Sequence, residues 1–487
     1  MNTLKRTLAL VATLSMSATA FVACGSSSSS SSSKKDTATT GAATTGEATT
    51  GAATEAPTKA AETGKPNSTT LGDVKLKTGG SQFTVGAWNH DDAPYLKDLW
   101  VADGGDASKW NFIEYGCGGG ESPEHIDAQF QAGGDFDLYF CEADWALNYI
   151  NDDSRTAPLE DLGFTEDNFS DVYGYTTEIG RATAGANAGK MVGATWQSCP
   201  GGFAYRTDIA EKYLGVKTPE EMQAAIADWD KFVDSASKIA EATDGKVALA
   251  DSLGGMWQVF AANRTTPWVS GTRLTIDDSC ETFANYAKKL WDNGGVTKNG
   301  QWTPDWIPAG KDGSAVGYFV STWGFGDGAF FGDASSESRG QWKVVQGPAP
   351  YFWGGTWLVV NPKTDSADDC QKFIFNACVN PETMAKMALE KPEYVNNKSV
   401  MNDIVEKNKC PNDFVTNNLG GQNYFAELHE NAKNINLKGL ITPYDATCKG
   451  AFLDELTKLY LEGGKSYEDA VDQAIKDIYA KAPDLAK

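Results

Sequence analysis

The composition of the chain changes abruptly near residue 80, and this change confines folding to the part that follows. From Gly25 to about Thr78 nearly every residue is Ser, Thr, Ala, Gly or an isolated charged residue, and no aromatic residue precedes Phe83 in this stretch. Such a segment cannot bury enough apolar area to offset the conformational entropy lost on folding. We therefore predict a flexible tether over residues 24–78, followed by about 400 residues that fold.

A secretory signal precedes the tether. Lys5 and Arg6 are followed by a largely apolar run from Leu8 to Val22, which is short for a membrane span but typical of a signal peptide. The residues before Cys24 resemble the bacterial lipobox, and a run of eight serines follows shortly after. We expect residues 1–23 to be a lipoprotein signal peptide that is removed. Lipidation of the new terminal cysteine would anchor the protein to the extracellular face of a membrane, and the long tether suits a Gram-positive surface.

The folded part is strongly acidic. The chain has 42 Lys and Arg residues against 65 Asp and Glu residues, and 34 and 60 of these, respectively, lie after residue 78, which gives that part a net charge of −26. Such a surface repels phosphate backbones and anionic lipids. We expect no nucleic-acid partner, and membrane contact only through the lipid. The chain also has 15 Trp but only three His residues, which favours stacking contacts over imidazole chemistry.

Strand-like and helix-like patterns alternate after residue 82. Strands are predicted where β-branched and aromatic residues cluster, at Phe83–Trp88, Phe136–Cys141, Ala315–Ser321 and Trp357–Asn361. A helix should begin at Pro219, because Thr218 supplies an N-cap and Glu221 a capping box. Apolar residues at helical spacing near the carboxyl end are interrupted at Gly463. The predicted fold class is α/β with a helical carboxyl end.

The cysteines favour neither a disulfide framework nor a metal site. Eight remain after Cys24, enough for four disulfides in an oxidising compartment. Cys370 and Cys378 lie in a helix-like segment, where eight residues rise about 12 Å, more than a disulfide tolerates. No CxxC motif occurs, and three histidines are too few for a convincing zinc site. We expect buried thiols, no metal and no cofactor.

One pair of carboxylates allows three interpretations. Glu142 and Asp144 follow the apolar strand residues Leu138–Cys141 and precede Trp145, so their side chains should point to the same side of the strand end. A glycosidase could use the two carboxylates as acid and nucleophile. Carboxylates beside an indole can equally accept hydrogen bonds from sugar hydroxyls while the indole stacks on the ring. The third interpretation is a solvated loop.

Several stretches carry the motifs of one known family. Gly189–Gly193 with Trp196, followed by Gly201–Asp208, is similar to a "GK-x-YG-x-P" stretch and the "YRKD" motif after it. Phe136–Trp145 looks like the strand and binding loop of that family, and Asp228–Phe232 looks like its "TWDEF" helix start. Together these stretches resemble the extracellular sugar-binding proteins of ABC importers (family 1 type), the group that includes maltodextrin-binding protein.

The resemblance implies an α/β, two-lobe periplasmic-binding-protein-like fold (type II) with the ligand cleft between the lobes. The N-terminal lobe would comprise residues 79–197 and about 348–430, and the C-terminal lobe residues 198–347 and about 431–487. Hinge closure would clamp a carbohydrate, an oligosaccharide in view of the many tryptophans, for delivery to an ABC-transporter permease. The implied protein is a monomer and not an enzyme. The alternative is an exported glycoside hydrolase or a surface lectin that uses the same cleft.

Nine residues are predicted to contact the ligand. They are Trp88, Asn89, Glu142, Asp144, Trp145, Trp196, Trp257, Trp323 and Trp353. The resemblance puts the two carboxylates and Trp145 on the rim of the first lobe, and Trp196 and Trp353 where the chain crosses between lobes. Core packing is the alternative for Trp257, and a capped turn is the alternative for the first two residues of the set.

Overall fold

Two four-stranded sheets organise the chain in a computed structural model, which describes residues 65–88, 92–115, 121–133, 136–325, 338–391, 393–409 and 413–486. All of these residues belong to one unit, Glu62–Lys487. The predicted signal peptide, Cys24 and Asn89 lie outside the described residues. The strands are β1 (Phe83–Ala87), β2 (Trp110–Glu114), β3 (Leu138–Glu142), β4 (Gly201–Arg206), β5 (Ala248–Ala250), β6 (Val269–Ser270), β7 (Arg273–Leu274), β8 (Ala315–Ser321), β9 (Trp342–Val345) and β10 (Thr356–Val360).

The first sheet has the strand order β10-β3-β1-β2. Its strand β1 runs parallel to both neighbours, whereas β10 returns antiparallel to β3 and pairs Thr356 with Glu142. All five residues of β1 and of β10 are buried, as expected for strands covered by helices on both faces. The second sheet has the order β5-β8-β4-β9, and both neighbours of β4 run antiparallel to it. We call the elements around the first and second sheets the first and second lobes.

Helices pack around both sheets. They are α1 (Asp92–Ala102), α2 (Glu121–Gln131), α3 (Ala146–Ile150), α4 (Gly174–Gly180), α5 (Thr207–Leu214), α6 (Pro219–Ala225), α7 (Trp229–Thr243), α8 (Leu253–Ala262), α9 (Asp278–Asn293), α10 (Trp306–Asp312), α11 (Ala367–Cys378), α12 (Pro381–Glu390), α13 (Lys398–Glu406), α14 (Asp413–Asn418), α15 (Phe425–Ala432), α16 (Asp445–Glu455) and α17 (Tyr467–Lys481). A π-helical segment, Leu456–Glu462, continues α16. No helix in the described part of the chain combines the length and apolar composition needed to cross a bilayer.

Local sequence signals set several of these boundaries. Helix α6 begins at Pro219, and the Thr218 side chain accepts a hydrogen bond from the Glu221 backbone N–H, as predicted. The predicted capping box is wrong in one detail, because the Glu221 carboxylate accepts from the backbone N–H of Lys217 at 2.6 Å. The strand predicted for Ala315–Ser321 is confirmed residue for residue as β8.

Neighbouring chain segments link the two lobes. One runs into β4, a second runs from β9 to β10, and a third follows α12. Isolated β-bridges join these links side by side, at Ala194–Leu358, Gln197–Val395 and Pro200–Phe352. The resulting bundle of extended chain lies between the sheets, so a rotation about it would move one lobe against the other.

The carboxyl-terminal helices pack on the second lobe. Phe452 of α16 contacts Trp257 of α8 with 5.1 Å between ring centroids. Earlier in the chain, the Asn431 amide of α15 donates to the carbonyls of Gly201 and Gln346. The Gln422 side-chain amide also bonds to the backbone of Val344 in β9, so contacts with the second lobe begin before residue 431, the approximate boundary expected from the sequence.

Residues 65–78 lie against the first lobe, although the sequence placed them in the tether. Leu71, Val74 and Leu76 pack on the core, and Gly72 donates its N–H to the Gly163 carbonyl at 2.8 Å. Three aliphatic side chains and paired backbone groups are enough to dock an extended strap on a formed core. Residues 65–78 therefore do not belong to the flexible tether that the sequence predicts.

The described cysteines are unpaired and buried. Cys370 and Cys378 of α11 are both free, which agrees with the distance argument from the sequence. The remaining described thiols, Cys141, Cys199, Cys280 and Cys448, are likewise free and buried. Within the described residues, His, Cys, Asp and Glu side chains form no group of three or more that could hold a metal ion.

Candidate functional site

A pocket opens between the two lobes. The first lobe contributes the loop after β3, the second lobe contributes α8 and the residues after it, and the link between β9 and β10 forms a further wall. Its lining residues are Ala143, Asp144, Ile179, Trp257, Gln258, Ala261, Ala262, Arg264, Trp268, Phe352, Trp353, Gly354, Leu437, Ile441, Asp445 and Lys449. Apolar and aromatic side chains with a few charged groups among them are typical of small-molecule sites.

An ion pair spans the pocket from one lobe to the other. Lys449 of α16 donates to the Asp144 carboxylate with 2.6 Å between Nζ and Oδ2. The two side chains are 25% and 47% exposed, respectively. Burial lowers the pKa of the Lys449 ammonium and the neighbouring carboxylates raise it, with a net rise. The lysine is therefore charged at neutral pH, and the pair joins the β3 loop to the carboxyl-terminal helices.

A second ion pair lies in the same pocket wall. The Arg264 Nη2 atom donates to Asp445 Oδ2 at 2.6 Å, and the arginine side chain is only 1% exposed. The other carboxylate oxygen of Asp445 accepts from the backbone N–H and hydroxyl of Thr442. The guanidinium carbon lies 5.2 Å from the ring centroid of Trp268, within cation–π range. These contacts fix the guanidinium against the pocket.

Glu142 lies behind the Asp144–Lys449 pair at the end of β3. Its Oε2 atom accepts the backbone N–H of Asp144 at 2.9 Å. Burial raises the pKa of the Glu142 carboxyl to about 8, and the negative charge of Asp144 adds to the rise. A carboxyl in this state keeps its proton at neutral pH and can donate as well as accept a hydrogen bond.

An aromatic strip leads from the pocket to the surface. Trp353 lines the pocket and is 4.8 Å edge-on from Trp323, whose indole N–H donates to the Trp353 carbonyl. Trp302 stacks on Trp323 with 5.7 Å between centroids and is 66% exposed. Its backbone φ is +66°, which is strained for a bulky residue and frequent at functional sites.

The other predicted tryptophans are largely core residues. Trp145 is buried between Trp88 and Tyr149. Trp196 is buried against Phe140, with 5.6 Å between the ring centroids. Neither of them lines the pocket, nor does Trp88, which is half-buried. Their indoles fill space between the first sheet and its helices, which is a structural task that any large ring could perform.

The structure thus brings together three of the predicted residues, Asp144, Trp257 and Trp353, as lining of one pocket. Glu142 and Trp323 lie directly behind this lining. Sequence reasoning missed Arg264, Lys449 and Trp302. The first two are placed by partners far away in sequence, but Trp302, in a Gly- and Pro-containing loop, carried a signal as an indole outside any helical or strand pattern.

Residues 109–412 match the family model described as bacterial extracellular solute-binding protein. This match covers more than half of the chain and includes every strand of the two four-stranded sheets except β1. No curated protein is similar enough in sequence to give a match.

Solved structures with the same fold include bacterial transport proteins. The crystal structure of an extracellular solute-binding protein of family 1 has 16% sequence identity and a TM-score of 0.68, and the alignment covers 83% of this chain and all of the other. The ABC transporter associated binding protein from B. animalis subsp. lactis Bl-04, in complex with β-1,6-galactobiose, has 19% sequence identity and a TM-score of 0.64, and the alignment covers 84% of this chain and 99% of the other. The galacto-N-biose-/lacto-N-biose I-binding protein from Bifidobacterium longum, in complex with lacto-N-biose, has 15% sequence identity and a TM-score of 0.64, with 84% of this chain and 98% of the other covered. These matches confirm the predicted two-lobe fold.

Proposed function

Because the chain belongs to the family of bacterial extracellular solute-binding proteins, we propose that it captures a carbohydrate, an oligosaccharide, between its two lobes and delivers it to the permease of an ABC transporter. The lipid on Cys24 would hold the monomeric protein at the extracellular face of a Gram-positive membrane. The chain acts as a receptor in this proposal and leaves the sugar chemically unchanged.

The observation that carries the proposal is the composition of the pocket between the lobes. Trp353 and Trp268 contribute apolar indole surface to the lining, while Asp144 and Lys449 contribute an acceptor and a donor. A sugar ring needs both, because its C–H faces stack on indoles and its hydroxyls form hydrogen bonds that discriminate stereochemistry.

The aromatic strip supports an oligosaccharide over a single sugar. Trp302 presents an exposed indole beyond the pocket, linked to it through Trp323 and Trp353. A ring in the pocket could therefore be followed by a further ring on this surface. Two of the three structural neighbours named above are in complex with a disaccharide, which supports a ligand of more than one sugar ring.

Thermal unfolding of the purified protein across a panel of soluble oligosaccharides tests the proposal. At one hundred times its dissociation constant, a ligand should stabilise the folded state by about 2.7 kcal/mol. Each mixture is analysed afterwards by chromatography for cleavage products. A selective shift with the sugar intact supports the receptor, and no shift across a broad panel refutes the carbohydrate assignment.

A glycoside hydrolase is the second candidate, and the raised pKa of Glu142 favours it, because a general acid of this class must hold its proton near neutral pH. The Glu142→Gln variant separates the two. A hydrolase would lose turnover and keep sugar binding, whereas the receptor would leave the sugar intact in both proteins and bind it more weakly in the variant. X-ray scattering with and without sugar distinguishes a lectin, which would show no compaction.

A further inference from the structure

The position of the Trp302 indole depends on the loop that carries it. This loop, residues 297–306, leads from the end of α9 to the start of α10, and we call it the Trp302 loop. Trp302 is 66% exposed and has a backbone φ of +66°. A bulky residue keeps this conformation only where the surrounding structure enforces it. The contacts that hold the loop therefore also set the position of the indole.

Asp251 holds the Trp302 loop at both of its ends. At the first end, the Thr297 hydroxyl donates to the Asp251 carbonyl, and the Thr297 N–H donates to the Ala250 carbonyl at 3.1 Å. At the second end, the Trp306 indole N–H donates to Asp251 Oδ2 at 2.7 Å. The backbone and the side chain of one residue thus close the loop into a ring.

Trp306 transmits this constraint to Trp302. Trp306 is completely buried, and its carbonyl accepts from the Tyr318 hydroxyl at 2.7 Å. Its ring lies edge-on to the Trp302 ring with 4.9 Å between the centroids. Next to Trp302, the Gln301 side chain occupies space that α8 leaves open at Gly254, where any larger residue would collide with it. The Trp302 indole therefore rests on a fixed support.

The Asp251 carboxylate is buried, and its hydrogen-bond donors among the described residues are all neutral. Besides Trp306, it accepts from the Ser252 hydroxyl at 2.6 Å and, through its other oxygen, from the Phe319 N–H at 3.3 Å. Burial raises the pKa of this carboxyl to about 6, so it is charged at neutral pH at a cost in stability. Three donors approach two oxygens, and an amide offers only one oxygen. The carboxylate thus ties the Trp302 loop to both α8 and β8.

Building on the proposed function, we propose that Asp251 is a positioning residue: it fixes the Trp302 loop so that the indole stacks on a sugar ring outside the pocket, and it thereby sets a preference for saccharides longer than two rings. Asp251 and the Trp302 loop contribute no residue to the pocket lining. Loss of their contacts should therefore affect the outer ring of a long saccharide and leave the ring inside the pocket unaffected.

Hydrogen–deuterium exchange without ligand tests whether Asp251 holds the loop. Asp251→Ala removes the carboxylate, and Trp306→Phe removes only the indole N–H. Asp251→Asn keeps one oxygen that can accept from Trp306 and serves as the conservative rescue. The matched control is Trp342→Phe, because the buried Trp342 indole N–H donates to the Ser338 hydroxyl at 2.7 Å and does not contact the loop ends. Amides of residues 297–306 should exchange about tenfold faster in Asp251→Ala and Trp306→Phe, with β1 as the unchanged reference.

Isothermal titration calorimetry tests the effect on binding. The probes are maltose and maltotetraose, and β-1,6-galactobiose and β-1,6-galactotetraose. Asp251→Ala and Trp306→Phe should bind a tetrasaccharide about fivefold more weakly, the effect of one lost stacked ring, and should keep the affinity for the matching disaccharide. Asp251→Asn and Trp342→Phe should keep both affinities. Adding Asp251→Ala to Trp302→Ala should cause no further loss, because both changes remove the same contact.

A merely structural role of Asp251 gives a different pattern, in which affinity falls equally for both lengths of sugar or the losses of Asp251→Ala and Trp302→Ala add. Either result overturns the inference, as does unchanged exchange of the Trp302 loop in a folded variant, while the proposed function survives. Circular dichroism melts identify a variant that fails to fold, in which case Trp306→Phe decides. If none of the sugars binds the unaltered protein, the proposed function fails and the preference for long saccharides fails with it, whereas the exchange data still decide whether Asp251 holds the loop.

Discussion

Glu393 joins the links between the two lobes and should make stability depend on pH. Its Oε2 atom accepts from the Gln197 side-chain amide and its Oε1 atom accepts from the Thr322 hydroxyl, both at 2.8 Å. Gln197 precedes β4, and Thr322 follows β8. The Glu393 residue is 7% exposed. Burial raises the pKa of its carboxyl to about 7, and the charge of Asp92 contributes.

The sign and size of the effect follow from this shift. A raised carboxyl pKa means that the folded protein holds the proton more tightly than the unfolded chain, so stability is greatest below pH 4.5 and falls as the pH rises towards 7. The shift from 4.5 to about 7, at 1.36 kcal/mol per unit, corresponds to a full cost of about 3 kcal/mol. Between pH 5 and pH 8 the free energy of unfolding should fall by about 2.5 kcal/mol through this group alone.

Urea unfolding of the Glu393→Gln variant measures this contribution. Glutamine keeps the shape and has no proton to lose, and the Gln197 amide can rotate to complement it. Other groups titrate equally in both proteins, so the difference in unfolding free energy between variant and unaltered protein isolates Glu393. Glu241→Gln, at an exposed position of α7, is the control.

The expected result is a difference that moves by about 2.5 kcal/mol in favour of Glu393→Gln from pH 5 to pH 8, with no such trend for Glu241→Gln. A difference that stays constant with pH would refute the reasoning, because it would mean that Glu393 titrates alike in the folded and unfolded states. A trend of the opposite sign would show that the two hydrogen bonds outweigh burial.

Three further predictions concern the cleft and a helix cap. Replacing Lys449 with Met removes the interlobe ion pair with Asp144, which at its partial exposure contributes about 0.5–1 kcal/mol to closure of the lobes. X-ray scattering of the ligand-free variant should therefore show a larger radius of gyration. The control Lys288→Met breaks an ion pair within α9 and should leave the radius of gyration unchanged. Trp302→Ala should weaken the binding of a sugar longer than a disaccharide by about fivefold, the equivalent of about 1 kcal/mol for one stacked ring. The free energy of unfolding should stay unchanged within about 0.5 kcal/mol. An equal loss of affinity for a disaccharide would contradict a role of the aromatic strip in binding further sugar rings. Thr218→Ala should cost about 1 kcal/mol in urea unfolding through loss of the α6 cap, and Thr218→Ser should restore it if the hydroxyl is the cause.

Local signals in the sequence were reliable where one element decides its own boundaries. The strand Ala315–Ser321 was predicted from β-branched and aromatic residues alone, and it is buried along its whole length. The strand predicted from Phe136 begins two residues later, at Leu138. Asp137 explains the difference, since its carboxylate accepts the Thr84 N–H and ends the regular ladder. Propensity cannot reveal a side chain that competes with the backbone for partners.

The candidate site is formed by contacts between segments that lie far apart in the sequence, and such contacts cannot be predicted from local patterns. A tryptophan in the sequence does not reveal whether its side chain faces the core or a cleft, so Trp196 and Trp353 were equally good candidates. The fold buries Trp196 in the first-lobe core and places Trp353 in the pocket lining. The signal that does transfer is chemical: a carboxylate placed after an apolar strand, as at Asp144, lies at the sheet edge where clefts form in α/β folds.

The abundance of tryptophan and the shortage of free charge in the pocket have one physical cause. Indoles such as Trp257 build an apolar wall, and in such a wall every charge needs a counter-charge within hydrogen-bond distance. Arg264 forms an ion pair with Asp445, which lies 181 residues away in the sequence, and Lys449 forms one with Asp144 of the opposite lobe. Charges paired in this way no longer attract an ion, so what distinguishes one ligand from another is the set of neutral hydrogen bonds that remain. Specificity in this cleft should therefore respond more to the removal of a single N–H than to the ionic strength of the solution.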